Sequence, residues 1–284
     1  MKVPQSLRDS HLNQTPIYES LKKHVDNIII NNLKDPRWHY ESRLKSLESF
    51  ALKIETGNYP DPTQMEDFFA CTLVVENLSS MVKAEKLICN RFELYERRPK
   101  SNNFTSKPSD SFRFDDTRLY VRWKDDAMTR PTSLNGVLFE VQVKTFLAHA
   151  WGIATHDLTY KTDEKSWSKE RIAFQIKAML EHAEISIEEA RKLANSTSLK
   201  KTDKYTENIS KIIETLNKLW PASHLPNDKK RLAENIYSLL RSIDVDLAYL
   251  SKILNKETKI GKGTKTLNLS PYSVIVQSLC KLPI

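Results

Sequence analysis

The stretch GVLFEVQVKTFLAHAWGIATHDLTYK, Gly136 to Lys161, constrains this chain more than any other. It reads as one buried strand running into one helix. Alternation places Phe139, Val141 and Val143 on one face of the strand and Glu140, Gln142 and Lys144 on the other. A strand that buries one apolar face usually turns further apolar or solvated side chains to the other. Here an acid, an amide and a base stand in a row where the strand feeds the helix, a common way to build a phosphate or metal site. In the helix, Leu147, Trp151, Ala154 and Leu158 form an apolar stripe that predicts core packing. His149, Gly152, His156 and Tyr160 form a nearly opposite stripe, which by itself reads as a binding face or as a polar surface with stacked aromatics.

A second cluster lies upstream. Alternation in HYESRLK puts Arg43 and Lys45 on one face of a strand. Ser46 is a good N-cap for a helix over Leu47 to Glu55, which ends at Gly57, and Ser49 and Lys53 share one face of it. Arg43, Lys45, the helix N-terminus, Ser49 and Lys53 can therefore converge, and three cations with free backbone N–H groups form a triphosphate cradle. Alone, the segment reads equally as a solvated basic helix. Only five glycines occur in 284 residues, which excludes a glycine-rich phosphate loop. Side chains and helix N-termini must hold any phosphate. FFACTLVV, Phe68 to Val75, is a continuous apolar run of the buried-strand kind, with Asp67 at its start behind Glu66. A carboxylate at the lip of a central strand is a common Mg2+ ligand position.

The remaining pattern is mostly helical. Leu7 to Leu33 reads as one or two amphipathic helices with Ile17, Leu21, Val25, Ile28 and Ile29 buried, and Leu78 to Phe92 as another with Met81, Ala84, Leu87 and Ile88. Glu96 to Phe114 reads as a long basic loop, a candidate substrate-binding loop. Leu119 to Trp123 reads as a strand and Lys124 to Asn135 as a loop. Trp167 to Leu193 is a long amphipathic helix with Ile172, Ile176, Met179, Leu180 and Ala183 on one side. Tyr205 to Trp220, Lys229 to Asn255 and Pro271 to Cys280 follow as helices, with a basic segment from Lys252 to Lys265. The expected organisation is N-terminal helices over 1–34, a core over 35–165 and a C-terminal helical region over 166–284.

No apolar run approaches membrane-spanning length, and Met1–Ser10 lacks the pattern of a signal peptide. The three cysteines, Cys71, Cys89 and Cys280, have no metal-ligand spacing and read as free and reduced, hence cytoplasmic. The net charge of +8 invites a polyanionic partner. His149 and His156, seven apart with no glutamate between them in the protease pattern and no cysteine partner, do not make a zinc pattern.

Taken together, these segments resemble the RelA/SpoT-type (p)ppGpp synthetase family. Its signature runs E-x-Q-[VI]-[RK]-T, then a helix with H-A-W, then H-D-x-x-Y-K; Glu140, Gln142, Lys144, Thr145, His149, Ala150, Trp151, His156, Asp157, Tyr160 and Lys161 match it. Arg43, Lys45, Ser46, Ser49 and Lys53 match the family's R-x-K-S-x-x-S-x-x-x-K element, which implies an ATP site. Asp67 and Ala70 match D-x-x-[GA]-x-R, whose Asp lies on magnesium, but Thr72 stands where the family has Arg. The family's G-Y-x-S-x-H, whose tyrosine stacks on the acceptor guanine, falls on Phe114, Asp116 and Arg118, or on Phe112 if the register slips by two. The aromatic is kept and its polar partners are changed. The resemblance covers about Tyr40 to Lys161.

The fold so implied is α+β, a nucleotidyltransferase-like mixed sheet flanked by helices, with a C-terminal all-helical extension. The activity implied is transfer of the β,γ-diphosphate of ATP to the 3′-hydroxyl of an acceptor nucleotide, with release of AMP. Glu140, Asp67, Gln142, Lys144 and His156 are the expected catalytic set, with Mg2+ on Asp67 and Glu140. Arg43, Lys45, Ser46, Ser49 and Lys53 are expected on ATP, and Phe112, Phe114, Arg118, His149, Tyr160 and Lys161 on the acceptor. The acceptor is GDP, GTP or an adenine nucleotide in one reading. In a second it is the 3′ end of tRNA, as in the toxic members of the family. In a third the domain is degenerate and binds a nucleotide or a protein without chemistry. The family's small synthetases often assemble into oligomers, so a homo-oligomer or an antitoxin contact is expected of the C-terminal helices.

Overall fold

The computed structural model describes residues 2–57, 59, 61–102, 104–105, 107–109, 116–124, 132–155, 166–194, 196, 201–259 and 268–280. Among them the chain forms two compact units, Met1–Asn195 and Ser196–Ile284.

The first unit is built on five strands: β1 (His39–Leu44), β2 (Phe69–Val75), β3 (Glu93–Arg98), β4 (Thr117–Arg122) and β5 (Leu138–Thr145). Their spatial order is β1-β2-β5-β4-β3, with β2 and β5 parallel and every other pair antiparallel. This is the mixed sheet of the expected α+β class. The alternating residues Phe69, Cys71, Leu73 and Val75 of β2, Phe139, Val141 and Val143 of β5, and Leu119 and Val121 of β4 are buried together. They pack against Tyr18, Leu21, Val25 and Ile29 of α1 (Gln5–Asn32), Phe50 of α2 (Leu47–Glu55), and Ala84 and Ile88 of α3 (Leu78–Arg91). One face of the sheet is thereby committed to the core, and the period of two sends every polar partner to the opposite face.

α4 (Phe146–Ala154) leaves β5 directly. Its N-cap is Thr145, whose hydroxyl accepts from the Ala148 amide at 3.1 Å and donates to the buried Glu184 carboxylate. Glu184 lies on α5 (Trp167–Leu193), which also receives the Trp151 indole N–H on the Ala173 carbonyl at 2.8 Å. Burial raises the Glu184 carboxyl above its usual range.

Several expectations are corrected here. N-terminal residues form a single helix, on which Ile17 is exposed and Tyr18 takes its place in the core. Glu93–Arg98, expected in part as loop, is an edge strand; its polar sequence carries no alternation because only one side of it pairs. Ala154 is exposed where core packing was expected, and Leu158 lies outside the described residues. On α5 the apolar side, Ile172, Ile176 and Met179, stays exposed while Ala173, Lys177 and Glu184 are buried. Ala173 and Glu184 are buried where they receive the Trp151 indole and the Thr145 hydroxyl.

The second unit contains α6 (Lys204–Leu219), α7 (Lys229–Ser242), α8 (Leu247–Lys259) and α9 (Pro271–Leu279) around Ile209, Ile212, Leu216, Ile236, Leu240, Leu250, Leu254 and Ile275. The single helix expected over Lys229 to Asn255 is broken at Asp244, which adopts φ 52°. There the Val245 amide turns back to the Leu240 carbonyl at 2.9 Å, a left-handed helix cap. Among the described residues no helix is long and apolar enough to cross a membrane, and the three cysteines are free.

Candidate functional site

The polar face of the sheet is organised in rows by its register. Arg43, Ala70, Glu140 and Tyr120 form one row, and Glu41, Thr72, Gln142 and Arg118 the next. His39, Val74 and Lys144 form a third, extended by Asp116, whose carboxylate is 3.5 Å from the Lys144 ammonium. Ala70, itself buried, is the smallest side chain of the first row and separates Arg43 from Glu140. The two flanking strands lie roughly 10 Å apart across it.

At the head of β2 the turn carrying Glu66 and Asp67 is pinned from both sides. Asp67 Oδ2 accepts from the ammonium groups of Lys45 at 2.9 Å and Lys53 at 2.8 Å. Lys45 follows β1, with its amide on the Phe68 carbonyl at 2.8 Å and its own carbonyl held by His11 Nε2 at 2.9 Å. Lys53 comes from the last turn of α2 and also lies 5.1 Å from the Tyr59 ring centroid. Glu66 is gripped through both oxygens by Arg98 at 3.0 Å, and that guanidinium stacks 4.2 Å over the Tyr120 ring. Burial works against ionisation of Asp67, but Lys53 and Lys45 outweigh it and hold the carboxyl below its usual range. Its second oxygen, Oδ1, is buried and has no hydrogen-bond partner among the described residues. Ser46 caps α2 by accepting from the Ser49 amide, and its hydroxyl donates to the Ser49 hydroxyl at 3.0 Å. The start of α2 thus stands beside the lysine pair.

Glu140 is 3 % exposed, with Oε1 accepting from the Gln142 side-chain amide. Arg118 lies within its field. Burial opposes the Arg118 charge, yet Glu140, Asp116 and Tyr120 together raise its pKa. Burial, then Glu140, pushes the Tyr120 phenol up to about 12, so it remains a donor at neutral pH. His149, in the first turns of α4, has its ring centroid 6.1 Å from that of His39. Burial lowers its pKa against the opposing pull of Glu41, and Lys144 and His39 add to the lowering.

The model of the region found in RelA/SpoT proteins matches residues 42–165. This chain carries a RelA/SpoT region. It takes in four of the five strands and parts of the other, with α2, α3 and α4. Among solved structures the chain is similar to the small alarmone synthetase 1 from Bacillus subtilis, at 17% identity over 64% of this chain and 95% of that one, TM-score 0.49. The same enzyme bound to its product pppGpp gives 18% identity over 64% and 96%, TM-score 0.49. The small alarmone synthetase 2 from Bacillus subtilis gives 15% over 65% and 97%, TM-score 0.49. Likenesses at this level decide nothing about chemistry. No curated protein sequence matches the chain.

Within the RelA/SpoT region, Lys45, Lys53 and Asp67 meet directly, and Ser46 and Ser49 stand at the helix start beside them. Arg43 shares a row with Glu140, and Gln142 braces Glu140. Glu140 lies on β5 and Asp67 in the turn that leads into its parallel neighbour β2, and the two are held by different partners, lysines for Asp67 and Gln142 for Glu140. Lys144 is drawn to Asp116, and His149 stands toward β1 rather than toward Asp67. Phe112, Phe114, His156, Tyr160 and Lys161 lie outside the described residues. Sequence reasoning missed Tyr120 and Arg98. Tyr120 was readable, since Arg118, Tyr120 and Arg122 alternate with Leu119 and Val121. Arg98 was hidden by the unrecognised edge strand.

Proposed function

We propose that this protein transfers the β,γ-diphosphate of ATP to the 3′-hydroxyl of an acceptor nucleotide and releases AMP. The observation that carries the reading is the Lys45–Asp67–Lys53 cluster at the head of β2, on the sheet that turns Glu140 to its polar face. A ribose hydroxyl is a weak nucleophile, and the β-phosphorus it attacks is crowded by negative charge. Catalysis must come from positioning and electrostatics.

Lys45, Lys53, Arg43 and the Ser46-capped helix start would bind the phosphate chain. A polyphosphate offers the two lysines several anionic oxygens in place of the single Asp67 oxygen they share. The orphaned Asp67 Oδ1 and the Glu140 carboxylate fit a hard divalent cation, which favours carboxylate and phosphate oxygens. Asp67 and Glu140 would hold Mg2+, which when bound neutralises phosphate charge. Gln142 fixes Glu140 Oε1, leaving Oε2 to take the hydroxyl proton. Arg118 would steady the acceptor on the β4 side.

The formal charge of +8 favours a polynucleotide acceptor as a second reading. Incubation of γ-labelled ATP and Mg2+ with GDP, GTP, adenine nucleotides and, separately, bulk tRNA separates the two. Label in a small product identifies a nucleotide acceptor and label in RNA identifies tRNA. Absence of label from both overturns the transferase reading.

A further inference from the structure

On the same sheet face, away from Asp67, three side chains outside the ATP cluster come together. His39 and Glu41 project from one face of β1, and His149 approaches from the first turns of α4. Each offers one ligand atom, and the three atoms lie within 4.8 Å of one another. We infer that His39, Glu41 and His149 form a binding site for a zinc-type transition-metal ion, separate from the site of the phosphoryl chemistry.

The donor set argues for the metal. Two imidazoles and one carboxylate match the three-ligand zinc arrangement that keeps a fourth position open. Such a set disfavours Mg2+, which prefers oxygen ligands. At zinc–nitrogen distances of about 2.0–2.1 Å, tetrahedral ligands stand about 3.4 Å apart. The observed spread of up to 4.8 Å lies a little above that, and all three side chains are at least partly exposed. Among the described residues none of the three is engaged in a hydrogen bond or ion pair. Lys144, in the same row as His39, has its ammonium drawn toward Asp116 at 3.5 Å. Two rigid elements present the ligands: a six-residue strand and a helix whose start is fixed by the Thr145 cap.

The site spans the rows of Glu41 and His39, two and four residues along β2 from the row of Ala70 and Glu140. That is roughly 7 to 13 Å at the rise of a strand. A bound ion would tie the start of α4 to the edge strand β1, without touching the Lys45–Asp67–Lys53 cluster. Sequence spacing conceals the arrangement, since the second histidine comes from β1 and not from the helix that carries His149.

Equilibrium dialysis of the chelator-stripped full chain against Zn2+ in excess Mg2+ tests the inference, with Co2+ as a spectroscopic probe of the ligand field. One equivalent of Zn2+ is expected, with the visible band of four-coordinate Co2+. His39→Gln and His149→Ala should each weaken binding by more than ~100-fold, beyond the usual loss from outer-shell changes. His39→Gln alters an exposed edge position, and circular dichroism confirms the fold of each variant. Absence of stoichiometric Zn2+ in excess Mg2+, or unchanged binding in folded His39→Gln, overturns it. Neither outcome depends on the transferase reading, because no readout uses ATP.

Discussion

At the scale of single residues, the Asp67 carboxylate is the hinge of the account. One oxygen is shared by two ammonium groups and the other is buried without a hydrogen-bond partner among the described residues, so its charge is held by the lysines and oriented by the turn. Its pKa is depressed in the folded chain. Stability gained from that depression is therefore complete above the unfolded carboxylate value of about 3.9 and is lost as pH falls through the lower folded value. Wild type and Asp67→Asn, compared by denaturant unfolding at pH 7 and at pH 3, should differ at neutral pH. The gap should shrink at pH 3, which lies below the unfolded carboxylate value. A gap that is the same at both pH values would contradict the proposed ion cluster.

At the scale of elements, legibility in the sequence followed the strength of the periodic signal. β2, β5, α2 and α5 could be read because a buried face repeats over several residues or because a cap marks the start, as Ser46 does for α2. β3 could not, since an edge strand rich in Glu and Arg buries too little to impose alternation. The orientation of α5 was hidden for another reason. Its packed face is set by a backbone carbonyl for Trp151 and a carboxylate for Thr145, partners that hydrophobicity does not register. Of the site, the convergence of Lys45 and Lys53 was legible from helix spacing and a strand end, whereas the place of Asp67 between them was not. The Arg98–Tyr120 stack and the His39–Glu41–His149 cluster depend on tertiary register. Ser46→Ala should cost about 1 kcal/mol of stability through the lost cap of α2. Thermal unfolding measures it, and a cost near zero would show that the cap does not hold the helix start in place.

At the scale of the whole molecule, two hydrophobic cores divide the chain, and every residue assigned to chemistry belongs to the first, built on the mixed sheet. One face of that sheet is used for stability and the other for charge, and this division lets a buried Glu140 stand in a polar row without disturbing the core. The proposed roles of Glu140 and Asp67 differ, one toward the hydroxyl proton and both toward the cation. The same pair of variants therefore tests them together. The most direct measurement is single-turnover transfer of γ-label from ATP to the acceptor by wild type, Glu140→Gln and Asp67→Asn, with ATP binding and circular dichroism measured on each. The account predicts that both variants stay folded and lose transfer by ~100-fold or more, with ATP still bound by Glu140→Gln. Near-normal transfer in either folded variant would contradict it.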